Sequence, residues 1–364
     1  MESTTQTTVK NLTSLVTRLE TEKKQKRDMV LPSGKLSYEN GQLIVGTVGA
    51  HNLTEICHAQ IGDKLSIPAA YYKRMLKEHP ELLQQNINAW LNRSKANYLV
   101  RTFDFHNDQP GLARAFLSDR FGMLDNYDVL LAALEAIKRM GVKVEITKAE
   151  VTDRRMYLHV TCPEVEVQAD EFLRNYLKEN DAAGNGIITG FVLTNSEIGL
   201  GTFEISPRAV ICKCNNGLMV KDSSFRRVHL GSKMDAGEVQ WSKRTMQKNY
   251  DLIISQTQDA IKTFLGKEHL GKMINKIAEA HKIVLENPYD TVQHVCTELD
   301  ISDDHRKSIL NFFLTDGDHK ASGVFQAVTR QAQFMGADAQ FEIEGGIGKL
   351  LPSIKKFDKP FSKN

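Results

Sequence analysis

Near Trp241 the hydrophobic period of this chain changes from two to about 3.6. Before that point, short runs alternate apolar and polar residues and break at Gly- and Asn-rich turns. After it, apolar residues recur at helical spacing. Strands followed by a block of helices are the pattern of an α+β fold. The expected architecture is an antiparallel sheet with flanking helices, followed by a small all-helical C-terminal domain.

Individual elements can be placed on the same grounds. Val9, Leu12, Leu15, Val16 and Leu19 share a helical face, so a first helix is expected over 8–24. Leu36 and Tyr38 alternate up to Asn40-Gly41, and Leu43 and Val45 alternate away from it, which predicts a hairpin. Ser66 is placed to cap a helix with Pro68 in its first turn. The runs YLVRTFDF and ARAFLS flank the turn-rich NDQPG and predict a second hairpin. A helix over 127–140 and strands VKVEITKAEV, RMYLHVTC and GIITGFVLTN follow, with an acidic insertion at 164–185. Beyond Trp241, helices are expected from Met246 through Phe264, from Leu270 to Val284, and over 289–299, 303–315 and 321–335. The expected organisation is an N-terminal helix with its leading residues (1–27), an α+β core (28–240) and a helical connection (241–287). A helical C-terminal domain (288–348) and a basic flexible tail (349–364) complete it.

Composition excludes some classes and leaves others open. The 364 residues are 41% hydrophobic and 25% charged, as in an ordinary globular chain. No apolar run approaches the roughly 20 residues that span a bilayer, and the polar start MESTTQTTVK has no signal-peptide pattern. Five cysteines without framework spacing read as reduced thiols of a cytoplasmic protein. The net charge of +2 says little, so electrostatic arguments rest on local distribution.

That distribution is uneven. Residues 161–200 are acidic, whereas 201–250 carry nine Lys/Arg against four Asp/Glu. Within the second stretch, Phe225, Arg227 and His229 alternate on one strand face, and Arg226, Val228 and Leu230 on the other. Guanidinium groups suit phosphates, and an aromatic ring can stack on a base. The expected nucleic-acid contacts are therefore Phe225, Arg226, Arg227, His229, Lys233, Lys243 and Arg244. A plain solvated edge that resists strand-to-strand aggregation is the competing reading.

A second candidate is the carboxylate set Asp104, Asp119, Asp125 and Asp128, which could gather around a divalent metal. Routine turn and cap roles compete with it. Cys212-Lys213-Cys214 with His229 has the wrong spacing and too few ligands for structural zinc. Two phosphate-loop look-alikes also fail. Met273 stands where the first needs Ser/Thr after Lys272, and Glu344-Gly-Gly-Ile-Gly-Lys349 is too short. No complete catalytic motif appears, which weighs against an enzyme, and no cofactor is expected.

Several of these segments together resemble a phage- and plasmid-encoded protein family of unknown function. They are Ile67-Pro68-Ala-Ala-Tyr71-Tyr72, the box RAFLSDRFGMLDN (Arg114–Asn126), and the run from Glu197 to Val220 with Gly199-Leu-Gly201 and Cys214-Asn-Asn-Gly217. Arg226-Arg227-Val228-His229 follows in place, and the likeness covers roughly 30–265. It implies a mobile element of bacteria or their viruses and transfers no catalytic residues. The leading expectation is a nucleic-acid-binding accessory protein in the bacterial cytoplasm, with DNA ahead of RNA and single-stranded DNA in replication or recombination as the setting. Homo-oligomers would extend the groove. The alternatives are a metal-dependent nuclease or transferase, and an inhibitor that docks on a host defence complex through the C-terminal helices.

Overall fold

The computed structural model describes residues 12–46, 48–104, 109–168, 186–211, 216–219, 224–227, 229, 237–238, 242–316 and 318–361. Two antiparallel-dominated sheets with helices on their faces lead into a helical C-terminal region, so the chain has an α+β fold.

The first sheet holds β1 (Lys26–Pro32), β2 (Leu36–Glu39), β3 (Gln42–Val45), β4 (Gly49–Leu53), β5 (Asn97–Phe103), β6 (Gly111–Ser118) and β13 (Gly237–Glu238). Their order is β13-β1-β5-β6-β4-β3-β2, with only β4 and β6 parallel. The β2–β3 turn has Asn40 at φ 49° and Gly41 at φ 83°. Those left-handed angles are what a two-residue hairpin demands and what an Asn-Gly pair supplies. α2 (Glu55–Lys64), α3 (Ala69–Glu78) and α4 (Pro80–Arg93) cover one face, where Met29, Val100 and Phe116 meet Ile61, Met75 and Leu83. Ser66 does not cap α3. It sits at φ 56°, its amide bonds back to Asp63, and Pro68 takes the cap position.

The second sheet holds β7 (Glu145–Val151), β8 (Met156–Gln168), β9 (Gly186–Asn195), β10 (Phe203–Ile211), β11 (Asn216–Met219) and β12 (Phe225–Arg227). Its order is β11-β10-β9-β8-β7, all antiparallel. β11 pairs with Arg208–Ile211 and β12 with Phe203–Ile205, so the two share one edge of β10. α1 (Leu12–Gln25), α5 (Asn126–Met140) and α6 (Lys243–Phe264) pack on one face through Leu15, Leu130, Ile253, Phe191 and Phe203.

The C-terminal helices follow: α7 (Lys267–Lys282), α8 (Pro288–Glu298), α9 (Asp303–Asp316), α10 (Ala321–Ala332) and α11 (Ala337–Leu350). α11 packs on the opposite face, where Tyr157 and Val192 meet Ala337 and Phe341. Ile187 and Ala209, on the same face as Phe191 and Phe203, belong to the same core as Leu270, Val324 and Ile347. α10 is buried on nearly every side, as a central helix must be. The stretch expected as a flexible basic tail folds back instead. Leu351 and Ile354 bury in a 3-10 segment (Leu351–Phe357), and Asp358 accepts from the Glu286 and Asn287 amides at the start of α8. Both glycine-rich look-alikes are helical: Gly266 caps α7, and Gly346 lies in α11. A Cβ at Gly346 would meet Leu299 Cδ2 at 2.6 Å, so glycine there permits helix packing and not phosphate binding.

Candidate functional site

Charged residues at strand positions that face the other sheet create the most unusual chemistry of the molecule. Lys26 and Asp28 share one face of β1, and Asp28 lies directly across from Arg101 on β5. On β6, Ala113 pairs with Thr102 and Ala115 with Arg101, so Arg114 is the extra residue of a β-bulge. Such bulges re-aim a side chain. Glu197 descends on this face from the β9–β10 connection, and Asp125 from the start of α5.

The bonds form one network. Arg101 Nε and Nη2 donate to Asp28, Nη2 also to Asp125 Oδ1 at 2.5 Å, and Nη1 to the Glu197 carbonyl at 2.7 Å. Glu197 Oε1 accepts from Lys26 Nζ (2.5 Å) and from the Asn126 amide (2.7 Å), while Oε2 accepts from Arg114 Nη1 (2.9 Å). Asp125 occupies the N-cap position of α5 without making the cap bond. Its carboxylate is committed to Arg101, and Glu197 satisfies the first helical amide in its place. Glu197 thus ties the first sheet, the second sheet and α5 together. Its loop is fixed by Gly199, whose φ is 76° and whose Cβ would meet Leu117 Cδ2 at 2.9 Å. Asn195 also donates to Leu124 O and Asn126 Oδ1.

Three cations face three acids here, and the opposing charges hold Glu197, Asp125 and Arg101 ionised despite their burial. Burial opposes ionisation of Glu197, and Asp125 adds to that opposition. Lys26, then Arg114 and Arg101, outweigh both and bring its carboxyl down to about 2. Burial also opposes ionisation of Asp125, and Lys26 and Arg101 again win, pulling it well below the usual range. Burial works against the Arg101 charge, but Asp28, Asp125 and Glu197 raise its affinity for the proton well above normal.

One member is incompletely used. Arg114 is 9% exposed, and its Nε and Nη2 are buried with no hydrogen-bond partner. Its guanidinium carbon lies 4.0 Å from the centre of the Phe103 ring, which covers one face of the group without accepting from the fork. Each buried donor left unmade costs about 1–3 kcal/mol. Asp104, just past the end of β5, is bonded to Thr102 Oγ1 and His51 Nε2 and sits 3.6 Å from Arg27.

The residues expected from the sequence are distributed differently. Phe225 is half-buried against Phe203, with ring centres 6.2 Å apart. Arg226 is exposed on the β12 edge and ion-paired with Glu204 at 3.2 Å. His229 is buried: its ring stacks on Phe121, Nδ1 donates to the Gly122 carbonyl, and its own carbonyl accepts from the Gly122 amide. The basic stretch therefore leaves the second sheet at β12, is pinned at Gly122, and reaches the first sheet as β13 beside Met29 and Val30. Arg227 is the last residue of β12 and Lys243 the first of α6; their side chains, and all of Lys233, lie outside the described residues. Arg244 is exposed on α6. Cys212 and Cys214 also lie outside the described residues.

The four aspartates do not converge. Asp125 faces Lys26 and Arg101, Asp128 pairs with Lys23 at 2.7 Å, Asp104 bonds to His51, and Asp119 is buried at the end of β6. Among the described residues no group of three His, Cys, Asp or Glu side chains is arranged to hold a metal. A chain with the look of a catalytic relay links Lys320, His281, Ser322 and Asp318. Lys320 can only donate to His281 Nε2, so Nδ1 carries the proton and points it at Ser322, whose hydroxyl goes to Asp318. The imidazole is the wrong tautomer to activate that serine, and the chain serves to dock the start of α10 on α7.

Sequence reasoning does not mark Arg101, Lys26 or Asp28 as site residues, and names Glu197 only as the start of a family-like run. A charge inside an otherwise apolar strand, as in Leu99-Val100-Arg101, is the signal that could have found them. No protein-family model matches the chain, and neither curated proteins nor solved structures give a match. Among the described residues no helix is long and apolar enough to cross a membrane.

Proposed function

We propose that this chain is a nucleic-acid-binding accessory protein of a phage or plasmid, working in the bacterial cytoplasm. The interface runs along the β12 edge and the start of α6. The observation that carries this reading is a local rule broken at a helix end that Ser242 caps. α6 opens with Lys243 and Arg244 and has no acidic residue in its first turn. Cations at that end oppose the helix dipole, and a bound phosphate would reverse the penalty. Arg244 and Lys248 are exposed there, and Arg226 is exposed at the sheet edge. Phe225 and Tyr250 pack into the same core, on the α6 side of the second sheet. Phe225 and His229 act in this reading as buried anchors, and the cations make the contacts. Arg226 must exchange Glu204 for a phosphate on binding.

The triple variant Arg226→Ala/Arg244→Ala/Lys248→Ala should bind single-stranded DNA more weakly regardless of sequence. Fluorescence anisotropy across a salt series reads it: the slope of log K against log salt should flatten by about 0.7 for each phosphate that is no longer neutralised. Unchanged affinity and slope in the folded variant would refute the interface.

A further inference from the structure

We propose that Arg114 is the receptor for a small oxyanion, a carboxylate or phosphate group, bound at the seam between the sheets. This goes beyond nucleic-acid binding and uses a different surface. The edge formed by Nε and Nη2 is the side-on fork that matches two oxygens of one acid group. Arg208 shows that edge filled within this same chain: its Nε and Nη2 donate to Glu344 Oε2 and Oε1, each at 3.0 Å. In Arg114 the same two atoms are buried without a partner, while Nη1 alone serves Glu197. The bulge at Arg114 aims the group and Glu197 holds it, so the fork is fixed before any ligand arrives.

Burial decides the size of the ligand. No water-sized space adjoins either donor, so the ligand, a small molecule or a single acid group, must displace half-buried Phe103 to reach them. Charge decides the strength. Lys26, Arg101 and Arg114 already balance Asp28, Asp125 and Glu197, so a bound anion adds a net negative charge. Affinity should be modest, in the millimolar range.

Isothermal titration of the full-length protein with sodium phosphate and, separately, sodium acetate tests the site. The wild type should bind at least one of them; phosphate alone or acetate as well identifies which acid group fits. Arg114→Lys keeps the charge next to Glu197 but has no fork, and should bind at least about tenfold more weakly, the worth of one charge-assisted hydrogen bond. Arg114→Gln serves the same purpose should the lysine variant unfold. Arg226→Ala/Arg244→Ala should titrate like wild type, which separates this site from the proposed nucleic-acid edge. A wild type that binds neither anion, a folded Arg114 variant that binds normally, or loss of binding in the edge variant would each overturn the assignment.

Discussion

Among the described residues, two arginine–glutamate pairs lie buried, one at each main junction, and they are finished differently. Arg208–Glu344 joins the second sheet to the C-terminal helices. There the arginine fork meets both carboxylate oxygens, and Gln333 and Gln340 also donate to Oε1. Arg114–Glu197 joins the two sheets. There the carboxylate is fully used by Lys26, the Asn126 amide and Arg114, but the arginine keeps two donors unused. A closed pair reads as adhesive between layers. An open one, held in place by a bulge and a shared glutamate, has the properties of a prepared binding group. The contrast also shows why the presence of a buried ion pair says little by itself, and why its unmet hydrogen bonds say more.

The largest expected effect is at the shared glutamate. Glu197→Ala leaves Lys26 and Arg114 buried without their acceptor and should cost about 3–5 kcal/mol, measured by urea unfolding. Glu344→Ala falls in the same class, but the two junctions should part when both partners are replaced. Arg208→Met/Glu344→Leu should recover much of the single-variant loss, because the arginine has gone with its acid and the Gln333 and Gln340 amides left behind are uncharged and each keep a second acceptor. Arg114→Met/Glu197→Leu should not, because Lys26 and the Asn126 amide still lack an acceptor. Equal recovery at both junctions would erase the distinction.

A smaller effect is expected from acid. Glu197 has a folded-state pKa of about 2, below the unfolded value near 4.3. Its contribution is complete above the unfolded value and is lost as pH falls toward the folded one. Asp125 shifts in the same direction and adds to the loss. Stability from urea unfolding should therefore fall steeply between about pH 4 and 2, by up to about 1.4 kcal/mol per pH unit for each such group. Glu197→Gln should show a shallower fall over that window. An unchanged slope would mean that Glu197 is not ionised against the network.

Much of the fold is legible in the sequence because it rests on local chemistry. Asn40-Gly41 dictates its turn, NDQPG separates β5 from β6, and Val129, Leu130, Ala133 and Ile137 bury one face of α5. The seam is less legible because its partners are brought together by tertiary structure: Lys26 and Glu197 are 171 positions apart. Alternation alone makes the basic stretch a free strand face, yet His229 is pinned by Phe121 and Gly122, more than a hundred positions earlier. α11 is hidden by Gly345, Gly346 and Gly348, which ordinarily weaken a helix and here allow close packing on Leu299. The box Arg114–Asn126 and the run beginning at Glu197 are separate motifs in the sequence. In the fold, Arg114, Asp125 and Asn126 from one meet Glu197 from the other.

The difference between the two arginines can be observed directly. In a spectrum of arginine Nε–H groups, with Arg114→Lys and Arg208→Lys used to assign the two signals, phosphate or acetate is added in steps to the folded protein. The Arg114 signal should move progressively and the Arg208 signal should stay in place. An Arg114 signal that does not move with either anion, or one that moves no more than Arg208, would contradict an open fork at the seam.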